Sequence, residues 1–398
     1  MKVVYLLVLI FACFKVLAQT GPGGVGLADG TSSLQGWWRA DAGVTSSSGN
    51  ISSWADQSGY NHTLTAGAGQ PTITTNATLN GQSVVRYTAA SSQFFTAPSY
   101  SGPNSANLTM FFVANGTSYQ SLLRFQNSGG TFVVFPWNFG SPANSFITSS
   151  DGGTGGGIAS NVVASVNNIA GARYIANTTN GMQTWLNGGL SAQRTSSGGT
   201  LPSQTLYSGM YSGGGEFPNC DAGELIVYHS ALNDAQMIIV QNYLSAKFNA
   251  SLSSNDVYLM DDPANGNFDS DVAGIGRTSA ASIQSDSRGT GFVRILNPTD
   301  LGDGEYFMWG HNGSAAQATN TTDIPAGITA RFARVWRVSE VGEVGNIDIQ
   351  FDVTGLSDFT SLSTCDAASS IRLLVDTDND GFFNNSTPIT GATNIGGN

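Results

Sequence analysis

Three aspartates on alternate residues, in Asp376-x-Asp378-x-Asp380-Gly381, have the spacing of a calcium loop. Alternate carboxylates can converge on a hard cation that takes oxygen ligands, and Gly381 allows the sharp turn. The twelfth position is Thr387, where an EF-hand has a bidentate Glu, and the preceding Ile371–Val375 reads as a strand. Any calcium held here is therefore bound weakly, with a dissociation constant of about 10⁻⁴–10⁻³ M. Asp and Asn are also turn formers, and an acidic solvated hairpin turn explains the same residues without an ion. A second acidic group, Asp261, Asp262, Asp269 and Asp271, is spaced irregularly around Asn265-Gly266.

Sugar sites combine an aromatic platform with a few polar groups. Trp137 and Asn138 lie in Pro136-Trp137-Asn138-Phe139-Gly140, a turn-rich stretch after a strand. Trp137 is accordingly expected to be either an exposed ligand platform, with Asn138 beside it, or a packed loop anchor. Trp37, Trp54, Trp185, Trp309 and Trp336 fall in alternating segments and are assigned to the core. Arg39, Arg86 and Arg337 sit in strands beside aromatics and are expected to pair with Asp or to stack.

Signs of catalysis are lacking. Glycosidases need two carboxylates flanking the scissile bond, which on a strand means Glu-x-Asp-x-x-Glu or similar, because alternate residues share a face. No such motif occurs, and the first 248 residues hold only Glu216 and Glu224 as glutamates. His62, His229 and His311 are scattered, with no zinc-binding helix and no nucleophile elbow.

These residues have to be positioned by strands. Short alternating apolar segments recur at Val84–Tyr87, Leu108–Ala114, Ser121–Phe125, Thr131–Phe135, Arg173–Ala176, Met182–Leu186 and Glu224–Tyr228, the pattern of antiparallel strands in a sandwich. Asn187-Gly188 permits the positive φ angles of a tight hairpin. One segment differs: in Leu232–Phe248, Met237, Val240, Leu244 and Phe248 recur at helical spacing. Asn233 and Gln236 form a capping box there, and Lys247 lies in the last turn. An amphipathic helix sealing one side of the sandwich is expected. After a polar stretch, Asn249–Asp256, strands are predicted at Phe292–Leu296, Glu305–Trp309, Phe332–Val338, Ile347–Val353 and Ile371–Val375, with Pro388–Ile395 as a last strand unless the chain is truncated.

Composition agrees. Charged residues make up 11% of the 398, well under the usual ~25%. The net charge is −12, from 15 basic and 27 acidic residues, so a nucleic-acid partner is excluded for want of a basic face. Twenty-two Asp stand against five Glu, and the only lysines are Lys2, Lys15 and Lys247. Helix surfaces favour Glu and Lys, and this chain avoids both. Lys2, the apolar run Val3–Phe14 and Val16-Leu17-Ala18 read as a secretory signal peptide cleaved after Ala18, too short to span a membrane. Export permits a disulfide between the two remaining cysteines, Cys220 and Cys365, but they fall in different predicted domains, which favours two separate thiols over a bridge.

The segments Gly21–Gly26, Trp37-Trp38-Arg39-Ala40-Asp41-Ala42-Gly43-Val44, Ile51–Gly59, Val84–Tyr87, Trp185–Gly188 and Glu224–Phe248 together resemble the laminin-G-like jelly roll of the concanavalin A-like lectin/glucanase superfamily. The form they resemble is found in large secreted surface proteins of gliding, type IX-secreting bacteria. Asp271–Arg277, Trp309–Asn312, Val335–Glu340 and Leu373–Asp376 resemble an uncharacterised β-domain that often follows that jelly roll. The first resemblance implies that calcium can be placed at Asp56 and Asn61, in a Gly-containing loop. The alternative for Asp56 is a cap on the turn after Trp54.

The expectation is an all-β protein: signal peptide 1–18, lead-in 19–30, an antiparallel jelly-roll sandwich with one C-terminal helix over 31–248, linker 249–256, and a second β-sandwich-like domain over 257–398. The expected function is non-catalytic binding of a glycan or cell-surface ligand by a secreted or surface-exposed protein, with calcium as the only cofactor considered. A spacer without ligand, or a glycoside hydrolase or lyase, are the alternatives.

Overall fold

The computed structural model describes residues 19–126, 132–137, 145–148, 158–195, 197–353, 356 and 371–393. The chain is all-β with one α-helix, Asp234–Phe248. Two antiparallel layers form a sandwich. In the back layer, Asn219–Tyr228 pairs with Asn107–Ser118 on one side and with Leu34–Arg39 and Gln82–Tyr87 on the other. Asn168–Ile175 and Met182–Leu186 extend the layer beyond Asn107–Ser118. In the front layer, Leu201–Ser208 pairs with Phe95–Ser105 and with Leu123–Gln126, which in turn pairs with Phe132–Trp137.

Alternation along each strand divides side chains between layers of core. Trp37 and Trp38 are adjacent and fully buried, yet they enter different cores. Trp38 joins Phe112, Leu225, Phe125 and Phe135 between the two sheets. Trp37 joins Phe111, Ile226 and Trp185 on the outer face of the back sheet, against the helix. The hairpin turns as its sequence requires, with Asn187 at φ 43° and Gly188 at φ 94°.

The capping box is present: the Asn233 side chain accepts from Gln236 N, and Gln236 returns a bond to Asn233 N. The helix is not amphipathic as expected. It is buried on nearly every side, because the back sheet covers one flank and strand Ser270–Ser279 with the segment Val257–Tyr258 covers the other. Even Gln241 and Asn242 are buried; they bond Gly188 N and Val257 N, tying the helix to both neighbours.

The second block has its own apolar cluster, including Ala273, Ile275, Val293, Phe307 and Trp309. Its four-stranded sheet centres on Ser270–Ser279 and Glu305–His311, with Trp336–Val341 at the edge. Three strand predictions change here, one of them Pro388–Ile395, where among the described residues only Ile389 makes a bridge. Phe332–Val338 is two pieces, Arg331–Phe332 and Trp336–Val341. Ile371–Val375 forms no strand: only Leu373 pairs, with Ile389, and one rung of ladder does not define a sheet. Val375 is left 41% exposed. Cys220 is a buried free thiol, pushed up in pKa by burial, and Cys365 lies outside the described residues.

Candidate functional site

Strand Leu123–Gln126 points Leu123 and Phe125 into the sandwich core, so Arg124 and Gln126 emerge on the outer face of the front sheet. Tyr207 and Thr205 stand opposite them on one neighbouring strand, and Val134 stands opposite Arg124 on the other. The register of Phe132–Trp137 against Ser145–Thr148 slips between Val134 and Trp137, which brings the indole to the face of Val134. Trp137 is therefore not an exposed platform. It is 9% exposed, and its Nε1 donates to Glu216 Oε1 at 3.3 Å. Asn138 lies outside the described residues.

Arg124 is the centre of this face. Its side chain is 6% exposed and pairs with Glu216, itself 11% exposed. Its Nε donates to Gln126 Oε1 at 2.7 Å, and the Tyr211 ring lies 5.6 Å from its guanidinium carbon. Ser121 Oγ donates to Glu216 Oε2 at 2.5 Å. Burial lowers the Arg124 pKa, against the opposing effect of the Glu216 charge. The result is a compact wall of two aromatic rings, an amide and a shielded ion pair. Apart from Trp137, sequence reasoning missed it. The available signal was Arg124-x-Gln126, two polar residues on one face of an otherwise apolar strand.

The two glutamates of the sandwich are on opposite outer faces. Glu224, whose side chain is fully buried, accepts from Trp37 Nε1, Tyr243 OH and Lys247 Nζ, each at 2.7 Å. Lys247 also bonds Asp41 Oδ2 at 2.9 Å, and Asp41 holds Arg39. This is a buried hydrogen-bonded network under the helix. Arg39 and Arg86 pair with aspartates as expected, and Arg337 stacks on Phe268.

Asp376, Asp378 and Asp380 come together: one carboxylate oxygen from each lies within 4.8 Å of the others. Asp376 accepts from Asn379 N and Gly381 N, shaping the turn. The Asn385 amide bridges Asp378 and Asp380 at 2.9 and 3.4 Å, relieving their repulsion. Asp323 anchors the loop from outside by accepting from Phe383 N and Asn384 N. An all-oxygen donor set of this kind suits calcium.

The other acidic candidates resolve differently. Asp56 is 8% exposed and accepts from Trp37 N, Ser58 N, Ser58 Oγ and His62 N at 2.7–3.0 Å. A carboxylate has about four lone-pair sites, so none is left for an ion. Asn61 is exposed at φ 60° in the following turn, which makes Asp56 and Asn61 a folded corner instead of a calcium pair. Asp271 separates from its sequence neighbours: burial works to raise its pKa, but bonds from His311 and Thr290 and the charge of Arg334 hold it at about 2. Asp261 and Asp269 line a cleft of about 360 Å³ with Asn80, Asn249 and Asn267, where burial and Asp256 push Asp261 up to about 6.

Fold and site together define an all-β sandwich protein with a buried helix and a polar-aromatic outer face. Residues 236–397 match a family described as "Domain of unknown function (DUF8202)". No curated protein matches the chain. Among solved structures, it is similar to Domain 4 of AbnA, a GH43 extracellular arabinanase from Geobacillus stearothermophilus, in complex with arabinotriose. The identity is 11% and the TM-score 0.40, over 52% of this chain and 98% of that one. It is also similar to the binding domain of Paraclostridial Mosquitocidal Protein 1, at 12% identity and TM-score 0.35, over 72% and 65% of the two chains. A mutant of Trypanosoma rangeli sialidase displaying trans-sialidase activity gives 13% and 0.30, over 60% and 37%. Among the described residues no helix is long and apolar enough to cross a membrane.

Proposed function

We propose that this is a secreted or cell-surface, non-catalytic carbohydrate-binding protein of the adhesin type, with its glycan site on the outer face of the front sheet. The observation that carries the reading is the cluster of Trp137, Arg124 and Gln126 on that face, closed over by Tyr211 and Glu216 of the loop at 209–216. The Trp137 indole would cover the apolar face of a sugar, while the Gln126 amide and the Arg124 guanidinium bond its polar groups. The resemblance of residues 21–248 to laminin-G-like modules of gliding-bacterial surface proteins supports the same reading. A glycan array probed with the chain lacking residues 1–18 tests it. Enrichment on a glycan class is expected, and Trp137→Ala should weaken that binding about tenfold, the worth of one aromatic wall. An array with no enriched glycan, with or without calcium, sinks the proposal.

Calcium is proposed at Asp376, Asp378 and Asp380, where it would replace the Asn385 amide between the carboxylates and stiffen the loop. Free calcium at ten times its dissociation constant stabilises by about 1.4 kcal/mol. The melting midpoint should therefore rise by about 2–4 °C, revert with chelator, and stay unmoved in Asp378→Asn. An identical midpoint with calcium and with chelator means that the loop is only a turn.

A further inference from the structure

The loop Gly209–Glu216 lies over the front sheet and is fastened to it through Arg124 and its neighbours. Glu216 pairs with Arg124 and accepts from Ser121 and Trp137. Tyr211 covers the guanidinium, and Ser212 N donates to Gln126 Oε1 at 3.2 Å. The Glu216–Ser121 bond joins two residues in the left-handed region, at φ 56° and 52°. Glu and Ser rarely adopt that conformation, and each costs on the order of 1–3 kcal/mol there. Strain of this kind persists where a side chain has to be aimed. Before Glu216 runs Gly213-Gly214-Gly215, with φ 81° and 117° at the last two, a stretch that can absorb a large backbone change.

We propose that the Glu216 carboxylate is an internal stand-in for the carboxylate of an acidic sugar, a uronate or sialate residue, which takes its place on Arg124 when the loop Gly209–Glu216 swings away. This deepens the carbohydrate reading above and rests on it. The guanidinium fork matches a carboxylate in two parallel bonds. Gln126 and Trp137 beside it supply an amide for ring hydroxyls and an indole for the ring face, which a simple anion would not need. The exchange leaves no buried charge unpaired: Arg124 trades one carboxylate for another, and Glu216 goes to water. While the loop is closed, apparent affinity is reduced by the fraction of open molecules.

The test is titration calorimetry of the chain lacking residues 1–18 with polygalacturonate, polysialic acid, neutral dextran and poly-L-glutamate. Glu216→Gln and, independently, Tyr211→Ala should bind one of the two acidic polysaccharides about tenfold more tightly than the unaltered protein, by raising the open fraction. Which of the two responds identifies the sugar. Adding Arg124→Gln to Glu216→Gln removes both charges together and should abolish the gain. Unchanged or weaker binding in both single variants, with a neutral glycan still held on this face, overturns the stand-in and leaves the carbohydrate reading intact. Poly-L-glutamate bound as tightly as the polysaccharides overturns the sugar assignment. No binding of any glycan by any variant overturns the carbohydrate reading, and this inference with it.

Discussion

Replacing Lys247 by methionine should lower the unfolding free energy by about 3–5 kcal/mol, measured by urea denaturation at neutral pH. Lys247 is 11% exposed and is the cation that neutralises Glu224, whose side chain is fully buried. Without it, Glu224 keeps bonds from Trp37 and Tyr243 and the more distant charge of Arg39 but loses its bonded cation beneath the helix. The size of the loss comes mainly from that orphaned carboxylate. Lys247→Met combined with Glu224→Gln should therefore recover more than half of it, because an amide needs no counter-charge. Asp41 retains Arg39 in either variant and is not stranded. A loss below about 1 kcal/mol in Lys247→Met would show that water screens the pair as it does surface ion pairs.

Asp56→Ala should be comparably damaging, at about 3 kcal/mol or more. It strips an acceptor from three backbone N–H groups, those of Trp37, Ser58 and His62, in a corner where Asp56 itself is 8% exposed. Each buried donor left unsatisfied costs about 1–3 kcal/mol. Asp56→Asn should fall between, since its amide offers one acceptor oxygen and turns hydrogens toward two of the donors. Both can be read from the denaturation midpoint at constant m-value. If Asp56→Ala unfolds at the same urea concentration as the parent chain, water satisfies these groups and the corner is not holding the first strand.

What could be read from sequence was local. Trp37 in the core, the Asn187-Gly188 turn and the Asn233/Gln236 capping box each rely on contacts within a few residues or on strand alternation, and the structure has all three. The converging aspartates were legible for the same reason, since positions 376, 378 and 380 need only one turn to meet. Arg124 and Glu216 were not: they lie 92 residues apart, and only the pairing of Leu201–Ser208 with Leu123–Gln126 brings them together. Trp137 was assigned to a loop because a one-position slip in register cannot be seen in composition, and that slip decides which face the indole joins. The burial of the helix was hidden likewise, because its second partner lies after it in the chain.

That helix is a party wall. Its residues are shared between the apolar side of the back sheet and Val257, Tyr258, Val272 and Met308 of the second block. The match of residues 236–397 begins within it, not after it. A cut at residue 249 and a cut ahead of Asn233 would alike bare apolar surface on both fragments, because one flank of the helix faces the back sheet and the other faces the second block. For expression or grafting, the helix therefore belongs with both neighbours at once, and a sandwich separated from it needs a substitute lid over Trp37, Phe111 and Ile226.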